Sequence, residues 1–300
     1  MTTSNPEFTF KGDPFVNRYR LTGFLTAQAP FHIGTGERYQ DPETLAAASD
    51  DEKRFIDNIA RDHQGFPYLP GSSLRGVIRH YLLQIFSSID PQIATEPNYE
   101  GQAFRDMDQD SQINYMRKDA NLLERTFGTP FCETKVEFWD ASLCNRVSAP
   151  EHFKEKGWDD KRQSYVVRSV AIDPETGAAE PNKLYSFDVA PPGAKFEVNI
   201  VGQNLSDTEL GFLLFGLNGF NSEIFPVTLG AMSGRGFGRF QFKLEKIYAL
   251  NRSELPMWTK LASQTDNAGF HLFGSLQPAK IETLIPQFKS AFESIIGAKS

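Results

Sequence analysis

Two motifs far apart in the chain combine backbone N–H groups with arginine, a set of donors suited to holding phosphate. One is Pro70-Gly71-Ser72-Ser73-Leu74-Arg75-Gly76, which opens a helix. The other is Gly230-Ala231-Met232-Ser233-Gly234-Arg235-Gly236-Phe237-Gly238-Arg239, which precedes a late strand. In the first, a helix N-terminus capped by Ser72 or Ser73 would hold a phosphate beside Arg75 and Arg79. The ordinary alternative is a capped helix with two solvated arginines. In the second, the glycines, Gly234 and Gly236 among them, permit positive φ and close backbone approach, and Arg235 and Arg239 add charge. Its ordinary alternative is a flexible hairpin loop. A dinucleotide fingerprint needs its glycine turn between a strand and a helix. This loop lies between a helix and a strand, and no Walker A lysine is present, so a nucleotide cofactor is excluded.

Ile56-Asp57-Asn58 lies in an acidic stretch shortly before the first motif. A carboxylate beside an RNA backbone can hold hydrated Mg²⁺ or orient a 2′-OH, and Asp62 lies near enough to assist. Taken alone, such an Asp is a solvated charge. Residues 165–189 carry Arg168 and Lys183 with Tyr165, Tyr185 and Phe187, a mixture that suits single-stranded nucleic acid. On sequence alone the favoured reading of these residues is an edge hairpin whose aromatics pack on the body. Cys132, Cys144 and His152 lack metal-finger spacing. His32 and His63 stand near no recognisable Ser or Cys nucleophile.

The elements that must position these residues follow from pattern. Arg18 to Ala29 reads as the first strand, leaving through Phe31-His32-Ile33-Gly34-Thr35-Gly36. Residues 37–62 read as a mobile acidic loop. Leu74, Val77, Ile78, Tyr81, Leu82, Ile85 and Phe86 fall on one helical face. Residues 87–120 read as a polar insertion. Leu122 to Phe127 reads as a short helix stopped by Gly128. Lys135 to Ala141 reads as a strand, Tyr165–Val170 and Lys183–Val189 as a long hairpin, and Lys195 to Val201 as another strand. Ser206-Asp207-Thr208-Glu209 is a capping box for a helix that is apolar almost all round. Arg239 to Ala249 is a final strand, and a helix spans about Pro286 to Ile296. This order matches an α+β, split βαβ or ferredoxin-like pattern with insertions, leaving an open sheet face for a ligand.

The 300 residues carry a formal net charge of −7. Nucleic-acid binding then requires a local basic track, or one completed by partners. No apolar run reaches membrane-spanning length. Met1 to Lys11 is polar without a signal-peptide core, and a cytoplasmic protein is expected. With two cysteines, no disulfide framework is expected.

In this order the segments resemble the RAMP superfamily of CRISPR-associated proteins, and most closely the backbone subunits of type III effector complexes. The match is carried by residues 31–36, by Phe66 to Gly76, by Val167 to Gly177 with Pro191-Pro192-Gly193, and by Gly230 to Phe240. The resemblance implies a modified RNA-recognition-motif, ferredoxin-like domain over residues 1–250. It would carry a glycine-rich loop and a protruding thumb hairpin, with insertions near 37–62, 87–120 and 143–190. Residues 251–300 would form a C-terminal extension. It implies guide RNA held along the first helix and glycine loop, through Ser72, Ser73, Arg75, Arg79, Arg168, Gly234, Arg235, Gly236 and Arg239. It implies a thumb that kinks the guide–target duplex, and stacking with other effector subunits, including copies or paralogues of itself.

The family's slicing carboxylate falls on Asp57, with Asp62 as the fallback, and would use Mg²⁺ to cut single-stranded target RNA. Three functions are therefore weighed: a slicing backbone subunit, a silent binding or capping subunit, and a stand-alone guide-processing ribonuclease. The last would want a general acid–base pair such as His32 and His80.

Overall fold

The computed structural model describes residues 8–45, 53–148, 157–172, 179–263, 279 and 281–297. Strand β1 (Asn17–Ala27) alternates strictly, burying Tyr19, Leu21, Leu25 and Ala27 on one side. Strands β2 (Gly34–Gln40) and β3 (Phe55–Ile59) follow, then the short β4 (Tyr68–Leu69) and helix α1 (Gly71–Phe86). Residues 37–62 are thus not simply a loop. Arg38 pairs with Asp57 and Tyr39 with Ile56 across an antiparallel β2–β3 ladder. Ile56 and Ile59 are fully buried, which anchors β3. The intervening 46–52 lie outside the described residues.

Residues 87–120 are likewise more than a polar insertion. They carry α2 (Gln102–Arg105) and α3 (Gln109–Lys118), and lead to α4 (Leu122–Phe127). Their polar surface hides a small core. Buried Glu124 accepts from Tyr99 Oη at 2.6 Å and Tyr115 Oη at 2.9 Å, while Met116 packs with Phe8 and Ala120. An Asn121–Glu124 capping box starts α4, and Gly128 at φ 81° ends it.

Then come β5 (Val136–Phe138), β6 (Ala141–Ser142), and the hairpin of β7 (Tyr165–Ile172) and β8 (Ala179–Val189). Residues 173–178, which join the two strands, lie outside the described residues, as does the Lys183 side chain. Strand β9 (Lys195–Gln203) leads to α5 (Asp207–Asn218), whose Ser206–Glu209 capping box is present in full. Strand β10 (Phe240–Asn251) closes the sheet. Helices α6 (Leu255–Ser263) and α7 (Ile281–Gly297) follow, and α6 has no counterpart in the sequence reading.

The main sheet runs β10-β1-β9-β5, the strand order of a ferredoxin-like βαββαβ unit, with α1 and α5 as its crossover helices. Both helices pack on one face. Leu74, Ile78 and Leu82 of α1 and Leu210, Phe212, Leu213 and Leu217 of α5 join Leu21, Leu25, Val198 and Ile200 in one core. Phe288 and Phe292 of α7 belong to that core too. A methyl group at Gly211 would stand 2.2 Å from the Phe288 carbonyl oxygen, so only glycine lets α7 lie so close to α5.

The second sheet, β2-β3-β8-β7, is mixed: β3 runs parallel to β8, and the other pairs are antiparallel. It joins the main body where β1 ends. Phe31 and Ala190 exchange backbone hydrogen bonds there, and Ala60 N–H donates to Ile33 O.

Candidate nucleic-acid interface

The glycine loop is rooted on the segment that leaves β1. Ala231 N–H donates to His32 O at 2.9 Å, and Gly238 N–H to Pro30 O at 2.8 Å. Gly230 and Gly238 have φ of 86° and 76°, and each lies against a backbone carbonyl that a side chain would strike at 2.2 Å. The roots are therefore rigid. The tip differs. Ser233–Arg235 forms a single 3₁₀ turn between left-handed Met232 and Gly236, and Gly234, Arg235 and Gly236 are exposed. Arg239 is also exposed, while Gln28 and Ala29 N–H donate to its carbonyl.

The loop leans on the long hairpin. Met232 and Phe237 pack against a cluster of Tyr165, Phe187 and Val189, and Arg235 lies over the Tyr185 ring, 5.4 Å from its centroid. In the second sheet Asp57 stands in register with Phe187 and across from Arg38. Strand alternation places Arg38, Asp57, Tyr185 and Phe187 on the same sheet face, the one that meets the glycine loop. Asp57 is 39% exposed, and Arg38 Nε donates to its Oδ1 at 2.5 Å. Asp57 is thus a strand residue facing the loop, whereas the sequence placed it in a mobile loop. Asp62 is tied up locally: its Oδ1 accepts from Gln64 N–H and Phe66 N–H, each at 2.9 Å.

The opposite face of this sheet is organised by buried carboxylates. Arg168 Nη2 reaches buried Asp41 at 3.1 Å. Arg61 and Arg162 share the buried Asp188 carboxylate at 3.2 and 3.3 Å, and Arg162 also covers the Tyr39 ring. His32 Nδ1 lies 2.6 Å from the Asp188 carbonyl oxygen, which ties that histidine to the base of the hairpin.

The start of α1 departs from the sequence reading. Neither Ser72 nor Ser73 caps the helix. Pro70 is the N-cap residue, and the first free N–H, that of Gly71, donates to Asp140 Oδ1 at 2.8 Å. Asp140 supplies the negative charge that a helix N-terminus attracts. Arg75 bends inward to the Phe127 carbonyl, and burial together with Arg79 lowers its pKa. Arg79 pairs with Glu96 at 3.2 Å. A cleft of about 330 Å³ nevertheless joins α1 to the base of the glycine loop, lined by Gly76, His80, Gln84, Phe225 and Thr228. Thr228 forms a bridge with Arg239.

The loop, Arg235, Tyr185 and Asp57 therefore converge on one region. Arg75, Arg79 and Arg168 are each held by protein groups elsewhere. Arg38, Tyr39, Arg61 and Arg162 were not singled out from sequence, and the one signal for Arg38 was its charge opposite Asp57 in a hairpin.

A family model described as the RAMP superfamily matches residues 24–241. The chain belongs to the RAMP superfamily. Its ferredoxin-like sheet and glycine loop are this RAMP protein's version of the family fold. Membership brings a CRISPR-associated, RNA-binding role, with RNA and CRISPR-complex subunits as partners. No curated protein matches the chain. Among the described residues, no helix of this RAMP protein is long and apolar enough to cross a membrane.

Proposed function

We propose that this RAMP protein is a guide-RNA-binding backbone subunit of a type III CRISPR interference complex, working in the cytoplasm, and that it cuts bound target RNA at Asp57. The observation that carries this reading is the register of Asp57 with Phe187, whose ring lies 6.0 Å from that of Phe237 in the glycine loop. The carboxylate thereby sits on the sheet face that an RNA crossing the loop would meet. The N–H groups of Ser233 and Gly234, at the exposed start of the turn, and the Arg235 guanidinium would hold backbone phosphates. Tyr185 and Phe187 form a stacked pair at 6.3 Å on the hairpin that would wedge between paired strands.

The residues fit a divalent cation shared with RNA. Among the described residues no group of three or more His, Cys, Asp or Glu gathers into a self-sufficient site. Mg²⁺ is commonly held by one or two carboxylates, with waters and phosphate oxygens completing its shell. Asp57 is an exposed carboxylate of that kind. When bound, the ion supplies charge neutralisation at the scissile phosphate. The chain's own part is geometric: Asp57 fixes the cutting position, and the hairpin's kink orients the 2′-OH for in-line attack.

A second reading, a silent binding or capping subunit, is favoured by one contact. Arg38 already neutralises Asp57 at 2.5 Å. The two readings part in the assembled complex given end-labelled target RNA and Mg²⁺. A slicing subunit yields cuts at regular spacing that Asp57→Ala removes and Asp62→Ala does not. A silent subunit yields binding and no cuts.

A further inference from the structure

The main sheet has a second face, turned away from α1 and α5. Residues of β1 that point there are Arg18, Arg20, Thr22, Phe24 and Thr26, all half-buried. Register sets Arg20 beside Tyr248, Thr22 between Asn199 and Lys246, and Phe24 between Glu197 and Lys243. Trp139, just past β5, donates its backbone N–H to Asn199 O at 3.1 Å and closes the row. The face is thus a four-strand width of mixed cations and aromatics, spanning three inter-strand steps of about 4.8 Å.

Two features separate it from an ordinary solvated sheet. First, its flat groups are held in place. Arg20 Nε and Nη2 both donate to Asn199 Oδ1, at 3.1 and 2.7 Å, and the guanidinium covers the Trp139 ring at 5.2 Å. Trp139 remains 43% exposed. Lys195 Nζ sits 3.7 Å from the Phe24 centroid. Second, the charge is positive. Arg18, Arg20, Lys195, Lys243 and Lys246 outnumber Glu137, Glu197 and Glu245, of which Glu137 pairs with Lys11 and Glu245 with Lys243, in a chain whose net charge is −7. A fixed guanidinium–indole stack flanked by lysines suits a nucleobase and its phosphates better than a protein, since protein interfaces are depleted in lysine.

We propose that this open face is a second RNA surface, separate from the glycine loop. It takes a single-stranded RNA segment, with a base stacked on Trp139 and Arg20 and the backbone along Lys246, next to the Lys243–Glu245 pair. The inference rests on the RNA-binding role of the chain, but not on Asp57 or on cleavage. Stacking on an aromatic is sequence-tolerant, so the segment is recognised by being unpaired rather than by its bases.

The test is fluorescence anisotropy of a fluorescein-labelled oligouridylate with the full chain. Trp139→Ala is expected to weaken binding about tenfold, and Trp139→Phe to recover most of it. Lys246→Glu should weaken binding and make it less salt-dependent, lowering the log–log slope by about 0.7 for each phosphate that is no longer neutralised. Each loss should add to that of Arg235→Ala. If Trp139→Ala and Lys246→Glu bind like wild type while Arg235→Ala does not, the open-face proposal falls and the glycine-loop reading stands. If the unaltered chain binds no oligouridylate at any salt, the open face is not an RNA surface of this chain.

Discussion

Arg235 lies over the ring of Tyr185, 5.4 Å from its centroid, and so joins the tip of the glycine loop to the long hairpin. The contact is exposed and its partner is a neutral ring, so the guanidinium keeps its charge available for phosphate. Arg235→Ala should weaken RNA binding about equally for all sequences and lower the salt slope by about 0.7–1. Tyr185→Ala should weaken binding with no change in that slope. Titrations at several salt concentrations separate the two, and an unchanged slope for Arg235→Ala would remove it from the phosphate track.

The glycines of the loop should divide by position. Gly238 has φ of 76° and would place a methyl 2.2 Å from the Leu229 carbonyl oxygen. Gly238→Ala is expected to cost about 2 kcal/mol or more. A methyl at Gly234 meets nothing within 4 Å, and Gly234→Ala should change stability by less than about 0.5 kcal/mol. Denaturant midpoints of the two variants check this; equal effects would contradict the rigid-root, open-tip picture.

Helix α1 takes its cap from a residue distant in sequence. Asp140→Ala should destabilise the protein by about 1 kcal/mol, since it leaves the Gly71 N–H and the helix dipole unmatched. Ser72→Ala and Ser73→Ala should be close to neutral by thermal melting. The reverse ranking would restore a serine cap.

Burial pushes the Tyr165 hydroxyl up to about 12. Its ordinary value is 10.0, so the native state holds this proton more tightly than the unfolded chain does. The stabilisation is whole below about pH 10 and is lost as pH rises toward 12. Tyr39 is pushed up to about 12 as well, by burial first and then by Asp188. Denaturant midpoints measured from pH 8 to 11.5 should fall above pH 10, and less steeply in Tyr165→Phe. A fall of equal steepness in the variant would refute the assignment to Tyr165.

Elements with local signals were legible in the sequence, and those settled by distant pairing were not. The apolar face of α1 and the Ser206–Glu209 capping box were both written within a few residues. Strand β2 was missed because its early residues are exposed and show no apolar alternation. Strand β3 was missed because it is only five residues long and finds its partner in β8. The site followed the same rule. The glycine loop stood out by composition. The placement of Asp57 beside Phe187 depends on a parallel pairing that no local pattern records. Likewise, Arg168 reads in the sequence as a cation turned toward RNA because Asp41, its buried partner, lies 127 positions away.

The most direct measurement is cleavage of a guide-complementary RNA by the assembled complex in Mg²⁺, comparing wild type with Asp57→Ala at matched target occupancy. The account predicts cuts at regular spacing from wild type, and their loss from Asp57→Ala with binding intact. Identical cutting by the two complexes would contradict it and move the active site away from the Asp57 face.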